Sequence, residues 1–313
     1  MLLFLGVALK LPYFLSPIVP VMSKTDGFLY LQLLRWLQAP GQAFPYIYPL
    51  IAYVLLFTQA VSLNSFVNDN RLFPNPQFLT GFAYLLLSSI IPEWNTVSPV
   101  LIINTIFIAI LPMMTGLYHK QKVKGNLFNI GFGLGICSFI YFPSVYMLLL
   151  LIIALAMFRP VQITEWLVTI AGVITPFYFL LVYFFVWDQW DRIKEIVPPH
   201  QLLLPSVTFN WQFWVMTGLV LLPALAGLLI SNQQASRQGV QGRKNWGLVF
   251  YYLFLALLIP FINNYSGLYH YILALVPLSI YASAFYTFPS RKKIMEYSVW
   301  LSFAWIVWQY LSS

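Results

Sequence analysis

Long apolar runs separated by short charged breaks dominate this chain, and runs such as 97–117, 166–185 and 213–230 stay apolar for about 20 residues. None shows the period-two alternation of a barrel strand. In hydrocarbon the backbone must satisfy its own polar groups, so the runs are expected to be helices. They place spans near Leu2 to Pro20, Tyr46 to Phe66, Phe78 to Ile91, Val97 to Leu117, Leu127 to Phe142 and Val145 to Phe158. Trp166 to Val186, Phe213 to Ile230, Leu248 to Ile262, Leu268 to Phe288 and Tyr297 to Tyr310 follow. The expectation is an all-α polytopic transmembrane bundle of about eleven spans, forming one integral membrane domain over residues 1–313.

The region 127–158 tests that count. As one kinked helix it would send Arg237, Arg243, Lys244 and Arg291 to the opposite side from Lys120, so the charge rule favours a hairpin turning at Phe142, Pro143 and Ser144.

Composition agrees with a lipid solvent. Hydrophobic residues make up 60% of the chain and charged ones 8%, where a soluble domain carries about 25%. Basic residues orient the map with the N-terminus cytoplasmic. Arg71, Lys120, Lys122, Lys124, Arg159, Arg237, Arg243, Lys244, Arg291, Lys292 and Lys293 then fall in cytoplasmic turns, eleven of the sixteen. Asp26, Glu93, Asp188, Asp191 and Glu195 fall outside, against Asp69, Glu165 and Glu296 inside. The net charge of +8 is therefore a topology signal beside anionic headgroups, and nucleic acid is not an expected partner. The single cysteine, Cys137, rules out an intramolecular disulfide. No charged leader precedes the first apolar run, and no small-residue cleavage site ends it, so that span is expected to stay.

Lys10 breaks the pattern. About 15 Å along a helix starting at Met1, a lone ammonium costs about 2.5 kcal/mol or more. One expectation is a native chain that begins upstream, letting Lys10 snorkel at the outer interface; a paired intramembrane lysine is the other.

Candidate chemistry gathers on the outer side. Gln32, Arg35 and Gln38 recur at spacing three over 26–38, as in a helix lying in the interface. Asp26 at its start reads either as an N-cap or as a carboxylate that takes a proton or binds a divalent cation. Glu93 follows a span of only about 14 residues, roughly 21 Å long, and so reads as an acid in a dented outer surface or as an ordinary interfacial turn with Trp94. In the outer segment 187–210, Trp187 and Trp190 among charges fit an aromatic belt, while Arg192 and Lys194 suit a phosphate grip. His270 lies in another outer turn with Tyr269. With three histidines in all, no four-histidine iron centre is possible and no metal site is expected. Gly131, Gly133 and Gly135 lie inside a span with no preceding strand, which points to close helix packing rather than a phosphate loop.

Two resemblances follow from these residues. Leu11-Pro12-Tyr13-Phe14, Asn68-Asp69-Asn70-Arg71-Leu72, Pro92-Glu93-Trp94, Ser98-Pro99, Tyr141-Phe142-Pro143 and Arg159-Pro160 resemble a family of polytopic inner-membrane proteins of Bacteroidota. Some members carry the label carotene monooxygenase, against which the histidine count speaks. An outer-loop aspartate opening an interfacial helix (Asp26, Tyr30), followed by short hairpins with a second outer acid (Glu93), is similar to the GT-C glycosyltransferases. That similarity implies an inner-membrane enzyme using a polyprenyl-phosphate sugar. Asp26 would be its base, Glu93 an auxiliary acid, and Arg35, Arg192 or Lys194 the phosphate grip; Lys10 and His270 are further candidate substrate contacts. This chain departs from the pattern in having Gly27 where a second acid would stand and in having no soluble outer domain. The alternative is a non-catalytic scaffold or assembly subunit, with membrane lipids and other membrane subunits as partners. Intramembrane charge is too scarce for ion-coupled transport, while lipid flipping stays open.

Overall fold

The computed structural model describes residues 2–23, 26–118, 120–190, 193, 210–262, 267–288 and 292–312. Arg192, Lys194, His200, Asn263 and Arg291 lie outside the described residues. Twelve α-helices make up the described chain: α1 Leu2–Leu15, α2 Phe28–Ala43, α3 Ile47–Asp69, α4 Leu79–Ile90, α5 Pro99–Thr115, α6 Lys124–Ile140, α7 Leu148–Phe158, α8 Ile163–Val186, α9 Trp211–Ser236, α10 Val240–Leu258, α11 Ile272–Thr287 and α12 Lys292–Ser312.

Every apolar run became a helix, but the expected eleven crossings are too many. Five helices among the described residues are long and apolar enough to cross a membrane: Ile47–Asp69, Ile163–Val186, Trp211–Ser236, Val240–Phe261 and Leu268–Thr287. The chain therefore reads as a multi-pass helical membrane protein. Among the remaining runs, α4 falls short for a physical reason. Helix α4 has 12 residues, about 18 Å against a hydrocarbon core of about 30 Å. From Ala83 to Ile90 it is wholly buried, so its solvent is other helices rather than lipid.

The first run also breaks early. Instead of reaching Pro20, α1 ends at Leu15, because Ser16 precedes Pro17 and the residue before a proline is pushed out of the α region. Residues 16–23 then form an extended strap in which Ile18, Val19, Val21 and Met22 stay exposed.

The hairpin at Pro143 is present. Tyr141 leaves the helix with an extended backbone, a 3₁₀ segment covers Phe142–Met147, and α7 returns until the Arg159 guanidinium donates to the Lys120 carbonyl at 2.8 Å. The glycines of α6 do what close packing requires. A Cβ on Gly131 would lie 2.5 Å from the Thr169 carbonyl oxygen, and one on Gly135 would lie 2.7 Å from that of Val173, both on α8. From α8, Gly172 approaches the Phe128 backbone as tightly.

A group of polar contacts gathers at each end of the bundle. At one end Lys244 donates to the Met157 carbonyl and sits over the Tyr118 ring, Gln238 reaches the Leu72 carbonyl, and Thr287 reaches Gln77. Arg159 pairs there with Glu165 at 2.5 Å, and that hydrogen bond raises the guanidinium pKa further. The turns holding Lys120, Arg159 and Lys244 are thus brought together, as the charge reading expects, although Arg291 itself is not described. The opposite end carries the acids Asp26 and Glu93.

Candidate functional site

At that acidic end, Asp26 and Glu93 line one cavity of about 520 Å³, together with Tyr30, Ser98 and Tyr269. The strap residues Ile18 to Val21 form its apolar side.

Asp26 does not cap α2. Gly27 holds the N-cap position without a side-chain bond, and the Asp26 carboxylate instead accepts the Ser23 amide at 2.8 Å, closing a tight turn with the Asp26 amide on the Ser23 carbonyl. Asp26 is 8% exposed. Burial raises its carboxyl above the ordinary range, and the Ser23 amide only partly offsets this. The glycine that follows has its own cause. A Cβ on Gly27 would fall within contact distance of the Phe139 and Ile140 carbonyl oxygens, so the start of α2 is pressed onto the end of α6. A second acid at position 27 is excluded sterically.

Helix α2 runs from Phe28 to Ala43, beyond the expected end at 38, and buries Phe28, Tyr30, Leu34 and Gly41. Phe28 packs edge-on to Phe184, with ring centroids 5.4 Å apart. The Tyr30 hydroxyl donates to the Val97 carbonyl at 3.0 Å. Burial, then the Asp26 carboxylate, push that phenol upward, which keeps it a donor. Arg35 is exposed and does not line the cavity, as an interfacial helix leaves its polar face.

Glu93 is engaged. It sits in the 3₁₀ turn Pro92–Asn95, and its Oε2 accepts the backbone amides of Leu268 and, at 3.0 Å, Tyr269. Those amides begin a second 3₁₀ turn, Leu268–Tyr271, that leads into α11. A carboxylate there meets orphan N–H groups and the positive end of the helix dipole. Gly267 enters this turn at φ 122°, a backbone conformation that side chains disfavour. Trp94 Nε1 donates back to the Leu268 carbonyl at 2.9 Å, so the two turns are clamped twice. An ordinary interfacial turn would need neither contact.

Lys10 does not line the cavity. It is 2% exposed, and its Nζ donates to Ser88 Oγ at 2.7 Å and to Asn95 Oδ1 at 2.5 Å. Asn95 Nδ2 in turn holds the Ser88 and Ile91 carbonyls. Snorkelling is thus replaced by a buried clasp between α1, the end of α4 and the turn that carries Glu93. No acid pairs with Lys10 among the described residues.

His270 is buried, its Nδ1 3.0 Å from the Tyr141 hydroxyl and its ring stacked on Tyr141. It fastens the α6–α7 turn to the start of α11 rather than lining the cavity. The remaining basic contacts expected here, Arg192 and Lys194, fall outside the described residues. No group of three or more His, Cys, Asp or Glu side chains gathers among the described residues. Glu93, the other carboxylate of the cavity, already accepts two amides and so is not a free ligand for a divalent cation at Asp26.

The strap, Ser98 and Gly267 are the lining that the sequence reading missed. The usable signal was Pro17 and Pro20 inside a run otherwise taken as helix. No protein-family model, no curated protein and no solved structure matches this chain.

Proposed function

We propose that this chain is a membrane enzyme acting on a lipid-linked substrate at the outer leaflet of the bacterial inner membrane, with Asp26 as its general base. The observation that carries the reading is the placement of a recessed carboxylate of raised pKa in a cavity with an apolar strap on one side. A buried base with a raised pKa accepts a proton more effectively near neutral pH than an exposed aspartate does. The strap offers hydrocarbon contact at the cavity mouth, as a lipid-linked group needs. Basic turns at the opposite end of the bundle support placing Asp26 outside.

The GT-C resemblance implies a polyprenyl-phosphate sugar as donor. In that reaction the bond between the anomeric carbon and the donor phosphate breaks, a bond to the acceptor oxygen forms, and the acceptor proton goes to Asp26. Polyprenyl phosphate leaves. Glu93 serves by fixing the cavity wall to the start of α11, since its Oε2 accepts the backbone amides of Leu268 and Tyr269.

Asp26→Asn tests the reading: the variant inserts in wild-type amount and loses surface-glycan synthesis. Wild-type output from Asp26→Asn would leave the non-catalytic scaffold as the better account, and co-purification of further membrane subunits in mild detergent would then be its mark.

A further inference from the structure

A second cavity lies at the basic end, unconnected with Asp26. Helices α1 and α12 both pack on α4 and leave between them a groove of about 960 Å³. Its floor is Leu79 and Phe82, its walls are Leu5 on one side and Val299 and Phe303 on the other, and Glu296 stands at its rim. The lining is nearly all apolar, so water would find few of the two to four polar partners it needs. In a bilayer such a gap takes a hydrocarbon chain.

Charge at the mouth narrows the choice of chain. Glu296, Val299, Trp300 and Phe303 recur at helical spacing along the groove side of α12, and Lys293 continues that stripe one turn earlier. Glu296 and Lys293 are both exposed, and neither forms an ion pair among the described residues. An anionic lipid alone would favour Lys and Arg at the rim, whereas here, among the described residues, an unpaired acid and an unpaired base stand one helical turn apart. A headgroup with one phosphate and one ammonium satisfies both side chains, the phosphate at Lys293 and the ammonium at Glu296. We infer that the α1–α12 groove is a binding site for one amine-headed phospholipid, an acyl chain over Leu79 and Phe82 and the head at Glu296 and Lys293.

The test mixes the purified full chain in mild detergent with equal amounts of phosphatidylethanolamine and phosphatidylglycerol of the same acyl chains, read by native mass spectrometry. One phosphatidylethanolamine per chain is expected to persist in preference to phosphatidylglycerol. Glu296→Gln, at the exposed rim, should lower that preference about fivefold, the effect of an exposed ion pair of up to about 1 kcal/mol, with total lipid unchanged. Leu79→Trp fills the floor and should remove both adducts. Val299→Trp fills the groove from the opposite wall and repeats the test should Leu79→Trp not fold. Equal retention of the two lipids by the wild type would overturn the proposal. So would an undiminished adduct in a folded groove-filling variant.

Discussion

Removing either side of the Lys10 clasp should expose how the bundle tolerates an intramembrane charge. Lys10 has two hydrogen-bond acceptors and no counter-ion among the described residues. On insertion scales an ammonium costs up to roughly 2.5 to 3.5 kcal/mol to bury, the value at a helix centre. Two hydrogen bonds from a charged donor return about 1.5 to 3 kcal/mol each, which brings the group near or above balance. Asn95→Leu takes away the shorter bond together with the Nδ2 bonds to the Ser88 and Ile91 carbonyls and leaves the ammonium half-partnered, at an expected cost of about 3 to 5 kcal/mol. Lys10→Met removes the charge with its bonds and leaves only the Asn95 Oδ1 acceptor unsatisfied, costing about 1 to 3 kcal/mol. In the double variant neither group is stranded, so its loss should fall short of the sum by about 1.5 to 3 kcal/mol. Unfolding of the four proteins in one detergent, compared as a double-mutant cycle, measures this difference. Additivity to within about 0.5 kcal/mol would refute the clasp, as would a Lys10→Met protein more stable than the wild type.

Other substitutions follow from the acidic end and from the helix contacts. Gly27→Ala puts a methyl group against the Phe139 and Ile140 carbonyls and should cost about 1 to 3 kcal/mol in unfolding measurements, with loss of activity through displacement of Asp26. Glu93→Ala leaves the Leu268 and Tyr269 amides without their acceptor; a loss of about 1 to 2 kcal/mol is expected, with faster amide exchange at 268–269, while Glu93→Gln retains most of both. Burial places the folded-state pKa of Asp26 above its ordinary 3.8, so the native chain holds that proton more tightly than the unfolded one. Its stabilising effect at low pH is lost as pH rises through the folded-state pKa. Asp26→Asn should therefore melt above the wild type at pH 7, and the two melting curves should converge below pH 3.8. Gly172→Leu drives a side chain into the Phe128 backbone and should separate α6 from α8, seen as loss of folded protein in detergent.

Positions of helices were readable because apolar run length and proline placement are local properties. The run expected at 46–66 became Ile47–Asp69, and the one expected at 166–186 became Ile163–Val186. What stayed hidden was which helices face lipid. Apolar composition is the same for a helix exposed to hydrocarbon and for one enclosed by protein, so α4 read as a crossing although other helices surround it. That Asp26 and Glu93 line one cavity was legible from loop order and short spans. Their roles were not, since the partners that define them are remote: Glu93 meets Leu268 across 175 positions, and Lys10 meets Asn95 across 85. Local pattern carries no record of such pairings. For Asp26 the reverse holds: a helix cap is its commonest local use, and a neighbouring amide at Ser23 took that place because Gly27 must lie against α6.

The clamp between Glu93 and the start of α11 also sets an order of events during biosynthesis. A ribosome adding about 5 to 20 residues per second needs roughly 9 to 35 s to travel the 175 positions between these partners. Throughout that interval the nascent chain holds Asp26 and Glu93 without the Gly267–Tyr269 wall, so the pocket closes only when the eleventh helix arrives. Truncations that stop short of it are expected to insert without ever maturing.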